Sequence, residues 1–283
     1  MSINMSINKY DPKEFDYEKV TNSIISTWKN WAIKTNTKKM CLGISGGKDS
    51  AVAAALACRV LGKDNVFGVL MPNGEQKDLN DSKAICNYLG IQNITVNIKD
   101  SYDSIISQVG AIDESSLLSS QTMINLPARL RMSTVFAVAQ SIGAKVINTC
   151  NLSEDSIGWD TLFGDDCGAF GPLKTLTCSE VLELAKYLML PEFIWRKAPS
   201  DGLCGSTDEE SFGFSYLTLD TYIRTGYCPD WNVELKINQM YRRNFFKQQI
   251  IKIPHPSIPR PSGCYNNYLR VNNSDMENYQ LNL

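Results

Sequence analysis

The sequence predicts an α/β fold in which a parallel β-sheet is covered by helices on both faces. Over the first half of the chain, short apolar runs alternate with stretches of helical periodicity, which is the pattern of repeated βαβ units. A glycine-rich turn follows the first apolar run, and ligands of such sheets bind at the carboxyl ends of the strands. Helical periodicity dominates the second half, so a helical C-terminal region is expected.

Four short apolar or alternating runs predict the strands, over residues 40–44, 66–71, 94–98 and 145–149. The first helix, over 17–34, is predicted from Val20, Ile24 and Trp28, which recur at helical spacing. Helix 78–89 is expected to stop at Gly90, a residue that readily ends helices. The other predicted helices are 49–61, 101–110, 121–142, 177–188, 216–225 and 232–247.

Two internal segments and the tail lack a clear period. Residues 151–172 are dense in glycine and aspartate, which predicts a long functional loop, and residues 197–213 read as polar and mobile. The tail after Ile253 is proline-rich and is expected to be extended or partly disordered. We therefore expect a single α/β domain over 1–253 and a separate tail over 254–283.

Composition excludes several classes of function. The 283 residues carry 28 Lys and Arg against 30 Asp and Glu, a net charge of −2 that argues against nucleic-acid binding, which needs clustered cations. The longest apolar run, residues 51–58, is too short to span a bilayer, and the N-terminus does not resemble a signal peptide. A cytoplasmic protein without a membrane or nucleic-acid partner is expected.

Cysteine and histidine usage narrows the chemistry further. The nine cysteines form no CxxC pair, so reduced thiols are expected rather than a zinc or iron–sulfur site. The single histidine, His255, leaves almost no room for Ser-His-Asp hydrolysis or a multi-histidine metal site. Backbone donors, carboxylates, lysine and a hard metal ion remain as the means of catalysis.

The sharpest motif is Ser-Gly-Gly-Lys-Asp-Ser at residues 45–50, between a predicted strand and a predicted helix. It is not a Walker A loop, because Leu42 replaces the first glycine of that pattern and the lysine is followed by aspartate. Two adjacent glycines let backbone N–H groups converge on a polyphosphate, and the following helix adds its positive end. Asp49 would repel phosphate unless a Mg²⁺ ion lay between them.

The motif is the SGGxDS loop of the PP-loop ATP pyrophosphatases, which predicts a reaction class. If the loop holds the two terminal phosphates of ATP, the α-phosphorus is left as the electrophile for a carboxylate or amide oxygen. Pyrophosphate then leaves and an acyl-adenylate forms. This route depends on positioning and charge neutralisation more than on an acid–base pair.

Six further segments resemble the ammonia-dependent NAD⁺ synthetases in order and separation. They are LMPNGEQKDLNDS (70–82), NLPARLRM (125–132), NTCNLSED (148–155), GWDTLFGDD (158–166), PLKTLTCSEVLELAKYLMLP (172–191) and APSDGLCGSTDEESFGFSYLTLDTYIRTG (198–226). The resemblance implies a three-layer, Rossmann-like fold of the adenine nucleotide alpha hydrolase type. It also implies a ligase that adenylates deamido-NAD⁺ with ATP and Mg²⁺, uses ammonia to displace AMP, and works as a homodimer.

The resemblance also implies roles for individual residues. Asp49 and Glu154 match magnesium ligands, and Asp49 and Lys48 are the candidate catalytic residues. Arg129 matches a contact to deamido-NAD⁺, and Lys247 matches one contributed by the partner subunit. Asp165 is a candidate for the pyridine end of the substrate. The matched ATP contacts are Gly43, Ile44, Ser45, Gly46, Gly47, Lys48, Asp49, Ser50, Gln76, Thr149 and Ser200.

Alternatives remain open at three of these positions. Glu154 is a magnesium ligand or a solvated loop acid, and Lys48 points at phosphate or at solvent. Arg129 binds the substrate or forms a surface ion pair, with Arg131 as the competing choice on another helix face. The chain also departs from the family pattern at Leu162, Ala169, Cys178 and Phe246, which places the contacts to the nicotinate and phosphates in question.

Four other functions compete with this interpretation. A tRNA-modifying pyrophosphatase should show a basic face and often paired cysteines, and an amidator with its own glutaminase needs a nucleophilic cysteine that the sequence does not supply. A PP-loop enzyme that adenylates a different substrate, or a nucleotide sensor without catalysis, stays open as an alternative. The glutaminase argument implies free ammonia, or ammonia supplied by another protein.

Overall fold

The computed structural model describes residues 10–76, 78–111, 118–196 and 207–250, with the side chains of 249 and 250 left out. Its strands are β1 (Met40–Gly43), β2 (Val66–Leu70), β3 (Gln92–Thr95) and β4 (Lys145–Val146). They form one sheet in the order β3-β2-β1-β4, and every pairing is parallel. The predicted parallel α/β architecture is confirmed.

Twelve α-helices accompany this sheet within the described residues. In chain order they are α1 (Tyr17–Lys34), α2 (Lys48–Leu61), α3 (Leu79–Leu89), α4 (Lys99–Gly110), α5 (Ser120–Ser141), α6 (Leu152–Ile157), α7 (Cys178–Tyr187), α8 (Glu192–Arg196), α9 (Asp208–Phe212), α10 (Tyr216–Thr225), α11 (Trp231–Asn244) and α12 (Phe246–Ile250). Helix α3 ends, as predicted, at Gly90 in the left-handed conformation.

The helices form two layers around the sheet. Helices α1, α2, α3 and α7 bury one face, where the alanine-rich α2 lets neighbouring backbones approach closely and Trp28 stacks on Phe170 with 4.8 Å between ring centroids. Helix α5 covers the other face through Val135 and Ala139, which contact Cys41 and Val69 of the sheet. This arrangement gives the three layers expected for the fold.

The carboxyl ends of β1 and β4 lie side by side, with β4 at the edge of the sheet. Helices α2 and α3 connect β1 to β2 and β2 to β3 on one face, whereas the connection from β3 to β4 runs through α4 and α5 on the other. The sheet therefore has its topological switch point between β1 and β4, where α/β proteins bind ligands.

A second apolar cluster holds the C-terminal helices. Phe212, Leu219 and Ile237 pack against Leu152 and Ile157, so α9, α10 and α11 are fixed to the short helix α6. The Arg224 side chain, itself fully buried, donates to both carboxylate oxygens of Glu180 and joins α10 to α7. The predicted helical C-terminal region is thus continuous with the sheet domain as far as residue 250.

The boundaries of β3 and β4 differ from the predicted ones, because backbone pairing with the neighbouring strand, and not the apolar pattern, determines where each strand begins and ends. The alternation over 94–98 predicts β3 there, but β3 begins at Gln92 because it pairs as an edge strand with β2, in the register Phe67↔Gln92 to Leu70↔Thr95. The strand predicted over 145–149 stops at Val146. Just beyond it Ile147 N still donates to the Cys41 carbonyl of β1, and Asn148 N then donates to the Phe170 carbonyl instead.

The 151–172 segment is not entirely loop, which corrects the sequence-based prediction. Asn151 and Glu154 form a reciprocal capping box that starts α6, a helix too short to show a period in the sequence. Residues 208–212 of the segment predicted to be mobile also form a helix, whereas 197–206 and the proline-rich tail lie outside the described residues. Over the part of the chain described, no helix has the length and apolarity needed to cross a membrane.

Candidate active site

A cavity of about 310 Å³ lies where β1, β2 and β4 end. It brings together most of the residues predicted to bind ATP and metal, although their positions in the chain span more than a hundred residues. The predicted residues that line it are Gly43, Ile44, Ser45, Gly47, Lys48, Asp49, Ser50, Gln76, Thr149, Glu154 and Asp165. Ser200 lies outside the described residues.

The Ser45–Ser50 loop forms the turn from β1 into α2. Gly46 has a φ of +84°, and a Cβ atom there would lie 3.1 Å from the Asp78 carbonyl oxygen, so the turn requires glycine. Ser50 Oγ accepts from Ser45 N at 3.3 Å and donates to the Gly47 carbonyl at 3.1 Å, which closes the loop. Gly47 occupies the N-cap of α2 without a side-chain acceptor, the arrangement in which a helix start binds an anion.

Asp49 and Glu154 meet across the switch point through Asn151. The Asn151 amide Nδ2 donates to Asp49 Oδ1 at 3.1 Å, and its backbone N–H donates to Glu154 Oε2 at 3.0 Å. Asn151 Oδ1 in turn accepts from the Glu154 N–H at 3.1 Å. One amide residue, which the sequence analysis did not single out, therefore sets the positions of both predicted magnesium ligands.

Burial and the neighbouring Asp49 charge together raise the pKa of Glu154 well above its usual range. Glu154 lies in helix α6, is only partly exposed and lines the cavity, and its role as a magnesium ligand stays a prediction. Two carboxylates that repel each other in a partly enclosed site fit a hard divalent cation, whose charge removes the repulsion. Asp49 remains 22% exposed at its side chain, which keeps the pair open to the cavity.

Lys48 points into the protein, which excludes the solvent alternative. The residue is only 6% exposed, and its Nζ lies 2.8 Å from Asp49 Oδ2 and 5.9 Å from the centroid of the Tyr216 ring. Burial lowers the pKa of this lysine, but the charges of Asp49 and its neighbours outweigh that effect and raise it well above its usual value. Lys48 is thus a fixed cation at the end of the Ser45–Ser50 loop.

The loop between α6 and α7 supplies the opposite wall. Asp165 lines the cavity, its Oδ1 accepts from Thr161 N at 2.7 Å, and burial raises the pKa of its carboxyl. The loop is tightly shaped, because Phe163 adopts a φ of +58° and Gly168 leaves no room for a Cβ, which would lie 2.5 Å from Asn148 N.

The two candidate arginines of α5 separate in the structure. Arg129 is exposed, and its Nε donates to the Leu162 carbonyl at 3.4 Å, outside the lining of the cavity. Arg131 does line the cavity, and its Nε donates to the Met71 carbonyl at the end of β2 at 3.1 Å. The contact of Arg129 to the substrate stays a prediction, and Arg131 becomes a stronger competitor than the sequence suggested.

Lys247 contacts its own chain in this structure. Its Nζ donates to the carbonyls of Gly158 and Asp160, at 2.8 and 2.6 Å, and lies 3.6 Å from Asp160 Oδ1. These contacts hold α12 against the loop that follows α6. The role of Lys247 toward a partner subunit stays a prediction.

Asp208 is a further residue at the site that sequence reasoning missed. It lines the cavity, accepts from Trp159 Nε1 at 3.2 Å and accepts from the Tyr216 hydroxyl at 3.0 Å. It also begins α9, the first described element after residue 206. Its sequence signal was the pattern Thr-Asp-Glu-Glu at 207–210, in which Thr207 and Glu210 form a capping box.

Comparison with known proteins identifies relatives of this arrangement. Residues 20–251 match the family described as NAD synthase. The NH(3)-dependent NAD(+) synthetase of Pyrococcus furiosus is 39% identical over 211 residues, which are 74% of this chain and 78% of that protein.

Solved structures show the same likeness. The NMN synthetase of Francisella tularensis superposes with a TM-score of 0.76 at 30% identity, over 87% of this chain and 99% of that one. The NH3-dependent NAD synthetase of Campylobacter jejuni, solved with a nitrate ion, gives a TM-score of 0.68 at 29% identity, over 84% of this chain and 99% of that one.

Proposed function

Because this chain belongs to the NAD synthase family, we infer that it is an ammonia-dependent ligase that converts deamido-NAD⁺ to NAD⁺. The reaction consumes ATP and ammonia and releases AMP and pyrophosphate. The observation that carries this inference is the cavity at the switch point, where the Ser45–Ser50 loop faces Glu154 and Asp165.

The reaction proceeds in two transfers. An oxygen of the nicotinate carboxylate attacks the α-phosphorus of ATP, the bond to the β-phosphate oxygen breaks, and pyrophosphate leaves. Ammonia then attacks the carbonyl carbon of the acyl-adenylate, AMP leaves, and the nitrogen loses a proton to give the amide. Each step needs alignment and charge neutralisation, which this cavity supports with backbone N–H groups and a buried ammonium.

The ATP half of the site is assigned to the predicted residues of the β1–α2 turn. Their backbone N–H groups and the start of α2 receive the two terminal phosphates, and Lys48 supplies a cation held at fixed distance from Asp49. Gln76 and Thr149 line the same cavity from the ends of β2 and β4. Lys48 thereby stabilises the negative charge that grows on the leaving pyrophosphate.

Asp49 and Glu154 are assigned as the residues that hold Mg²⁺. When bound, the ion supplies charge neutralisation between the carboxylates and the phosphates. Glu154 fits this role because it is partly buried beside a like charge, a situation that favours a cation. Asn151 orients both carboxylates through its hydrogen bonds to Asp49 and Glu154.

The acyl substrate is assigned to the wall formed by Asp165 and the adjacent loop. Asp165, which lines the cavity, is assigned to the pyridine end of the substrate, while Arg129 and Lys247 are assigned to the remainder of the dinucleotide. The family resemblance also supports a homodimer, for which the long helix α5 is the candidate interface.

A direct assay tests this function. The purified chain, incubated with ATP, Mg²⁺, ammonium chloride and deamido-NAD⁺, is expected to release pyrophosphate and AMP in equal amounts and to form NAD⁺. Omission of deamido-NAD⁺ should abolish pyrophosphate release. Formation of ADP, or nucleotide hydrolysis independent of the acyl substrate, would contradict the assignment.

A mononucleotide acyl substrate is the second candidate. The specific observation in its favour is the likeness to the F. tularensis protein, whose name specifies NMN as the product. The chemistry at the nicotinate carboxylate would be the same, so the cavity accommodates either reaction. A comparison of kcat/KM for deamido-NAD⁺ and nicotinate mononucleotide in the same assay decides between them.

A further inference from the structure

The side chain of Lys174 is a buried cation to which the proposed reaction gives no role. Its Nζ lies 2.7 Å from Asp155 Oδ1 and 2.5 Å from Asp166 Oδ1. The three side chains are 8%, 6% and 10% exposed, so water contributes little to their solvation. Charges in such surroundings are stable only when they are paired.

The place of this ion triad in the fold gives it a functional meaning. Asp155 follows Glu154 in α6, and Asp166 follows Asp165 in the loop. Each partner of Lys174 is therefore the chain neighbour of an acid that lines the cavity, one from the metal half and one from the acyl half. Lys174 itself does not line the cavity.

The triad is also linked to the sheet. Asn148, just beyond β4, donates through Nδ2 to Asp166 Oδ1 at 2.9 Å and accepts from Cys150 N through Oδ1 at 2.9 Å. The strand end, the loop and α6 thus converge on one ammonium group.

The oxygens of these aspartates and the Cys150 sulfur lie close enough together to resemble a metal site. The Lys174 ammonium already contacts both carboxylates, so a cation fixed to the chain stands where an exchangeable ion would otherwise be needed.

We propose that Lys174 is a positioning residue for the ligase reaction. It fixes helix α6, which bears Glu154, relative to the loop that bears Asp165. This inference rests on the proposed function. A small shift between these walls changes the line of attack on the α-phosphorus while leaving the Ser45–Ser50 loop intact. Misplacement by about 1 Å can reduce a rate about a hundredfold.

The central experiment compares two variants. Lys174→Met removes the charge and leaves two buried carboxylates, so we expect a large fall in melting temperature. The triple variant Asp155→Asn, Lys174→Met, Asp166→Asn removes all three charges and is expected to melt near the wild-type temperature. If Lys174 positions the walls, the triple variant still loses at least about tenfold in kcat, while its KM for ATP changes by less than about twofold.

A matched control comes from a second buried ion pair in the fold. Glu180→Gln with Arg224→Met also neutralises buried charges, but it lies in the α7–α10 contact and neither residue lines the cavity. The kcat of this control variant should stay close to the wild-type value. Full recovery of kcat in the triple variant, or an equal kcat loss in the control, would overturn the proposal.

A second readout does not depend on activity. Hydrogen exchange of the triple variant should be about tenfold faster at residues 158–167, where Thr161 N donates to Asp165, and unchanged at residues 45–50. Unchanged exchange at 158–167 would overturn the positioning role. A wild-type chain that forms no NAD⁺ would refute the proposed function, and the exchange result would still decide the role of Lys174.

Discussion

Replacement of Glu154 by glutamine should raise stability and abolish activity at the same time. Glu154 is partly buried beside Asp49, and both desolvation and that charge raise the pKa of its carboxyl. Glutamine keeps an oxygen that can accept from the Asn151 N–H, so the start of α6 is preserved while the like-charge repulsion is removed.

The two effects have opposite signs. The neutral glutamine side chain removes the cost of holding a charge close to Asp49, so it should stabilise the metal-free protein near neutral pH. Loss of one charged ligand next to the phosphates should cost about 3–4 kcal/mol of transition-state stabilisation, or roughly a 10²- to 10³-fold fall in kcat.

Thermal unfolding without Mg²⁺ measures the first effect, and pyrophosphate release with saturating substrates measures the second. Glu154→Ala is the matched control, because it removes the same charge together with the capping oxygen and should lose about 1 kcal/mol relative to glutamine. Wild-type activity in Glu154→Gln would refute the metal role. A loss of stability as large as that of the alanine variant would refute the argument from buried repulsion.

Three more predictions address the rest of the site. Asp49→Asn keeps an oxygen that accepts from Asn151 but removes a charged metal ligand, so turnover should fall at least about 10²-fold. The circular dichroism spectrum should stay that of the wild type. Normal turnover would contradict the metal role of Asp49. Arg129→Ala should raise the KM for deamido-NAD⁺ more than the KM for ATP, and if Arg131→Ala alone has that effect the substrate contact belongs to Arg131. Burial raises the pKa of Asp160 to about 7, although Lys247 opposes this, so its neutral form favours the folded state. The stabilisation from the neutral Asp160 carboxyl is complete below the ordinary aspartate pKa of about 4 and is lost as the pH rises toward 7. Asp160→Asn should therefore flatten the curve of unfolding free energy against pH in this range, by up to about 1.4 kcal/mol per pH unit. An unchanged slope, measured by denaturant titrations at several pH values, would count against this role of Asp160.

The nucleotide half of the site was predictable because it is local in sequence. The Ser45–Ser50 motif combines the turn, the glycine with positive φ and the helix start in six residues, and the structure places them at the end of β1 as the pattern indicated. Glu154 was found through the resemblance, and its helix was missed because six residues carry no measurable period.

The contacts that organise the rest of the site join residues far apart in the chain, so no local sequence pattern indicates them. Asn151 is an ordinary cap in the sequence, and its bond to Asp49 joins residues 102 positions apart. Asp208 approaches Trp159 across 49 positions. Periodicity and motif spacing describe neighbours along the chain, so they could not rank Arg131 against Arg129 or find the ion triad of Lys174.

The sequence by itself determined the parallel α/β layering, the glycine-rich turn from β1 into α2 and the family, since each depends on residues close together in the chain or on a colinear set of motifs. Only the tertiary structure decided which way Lys48 points, where β3 pairs with β2 and β4 with β1, and how Asn151 holds the carboxylates of Asp49 and Glu154. Those features depend on which side chains share a solvent-excluded volume after packing. That proximity is set by how the strands and helices come together in space, and no local pattern encodes it.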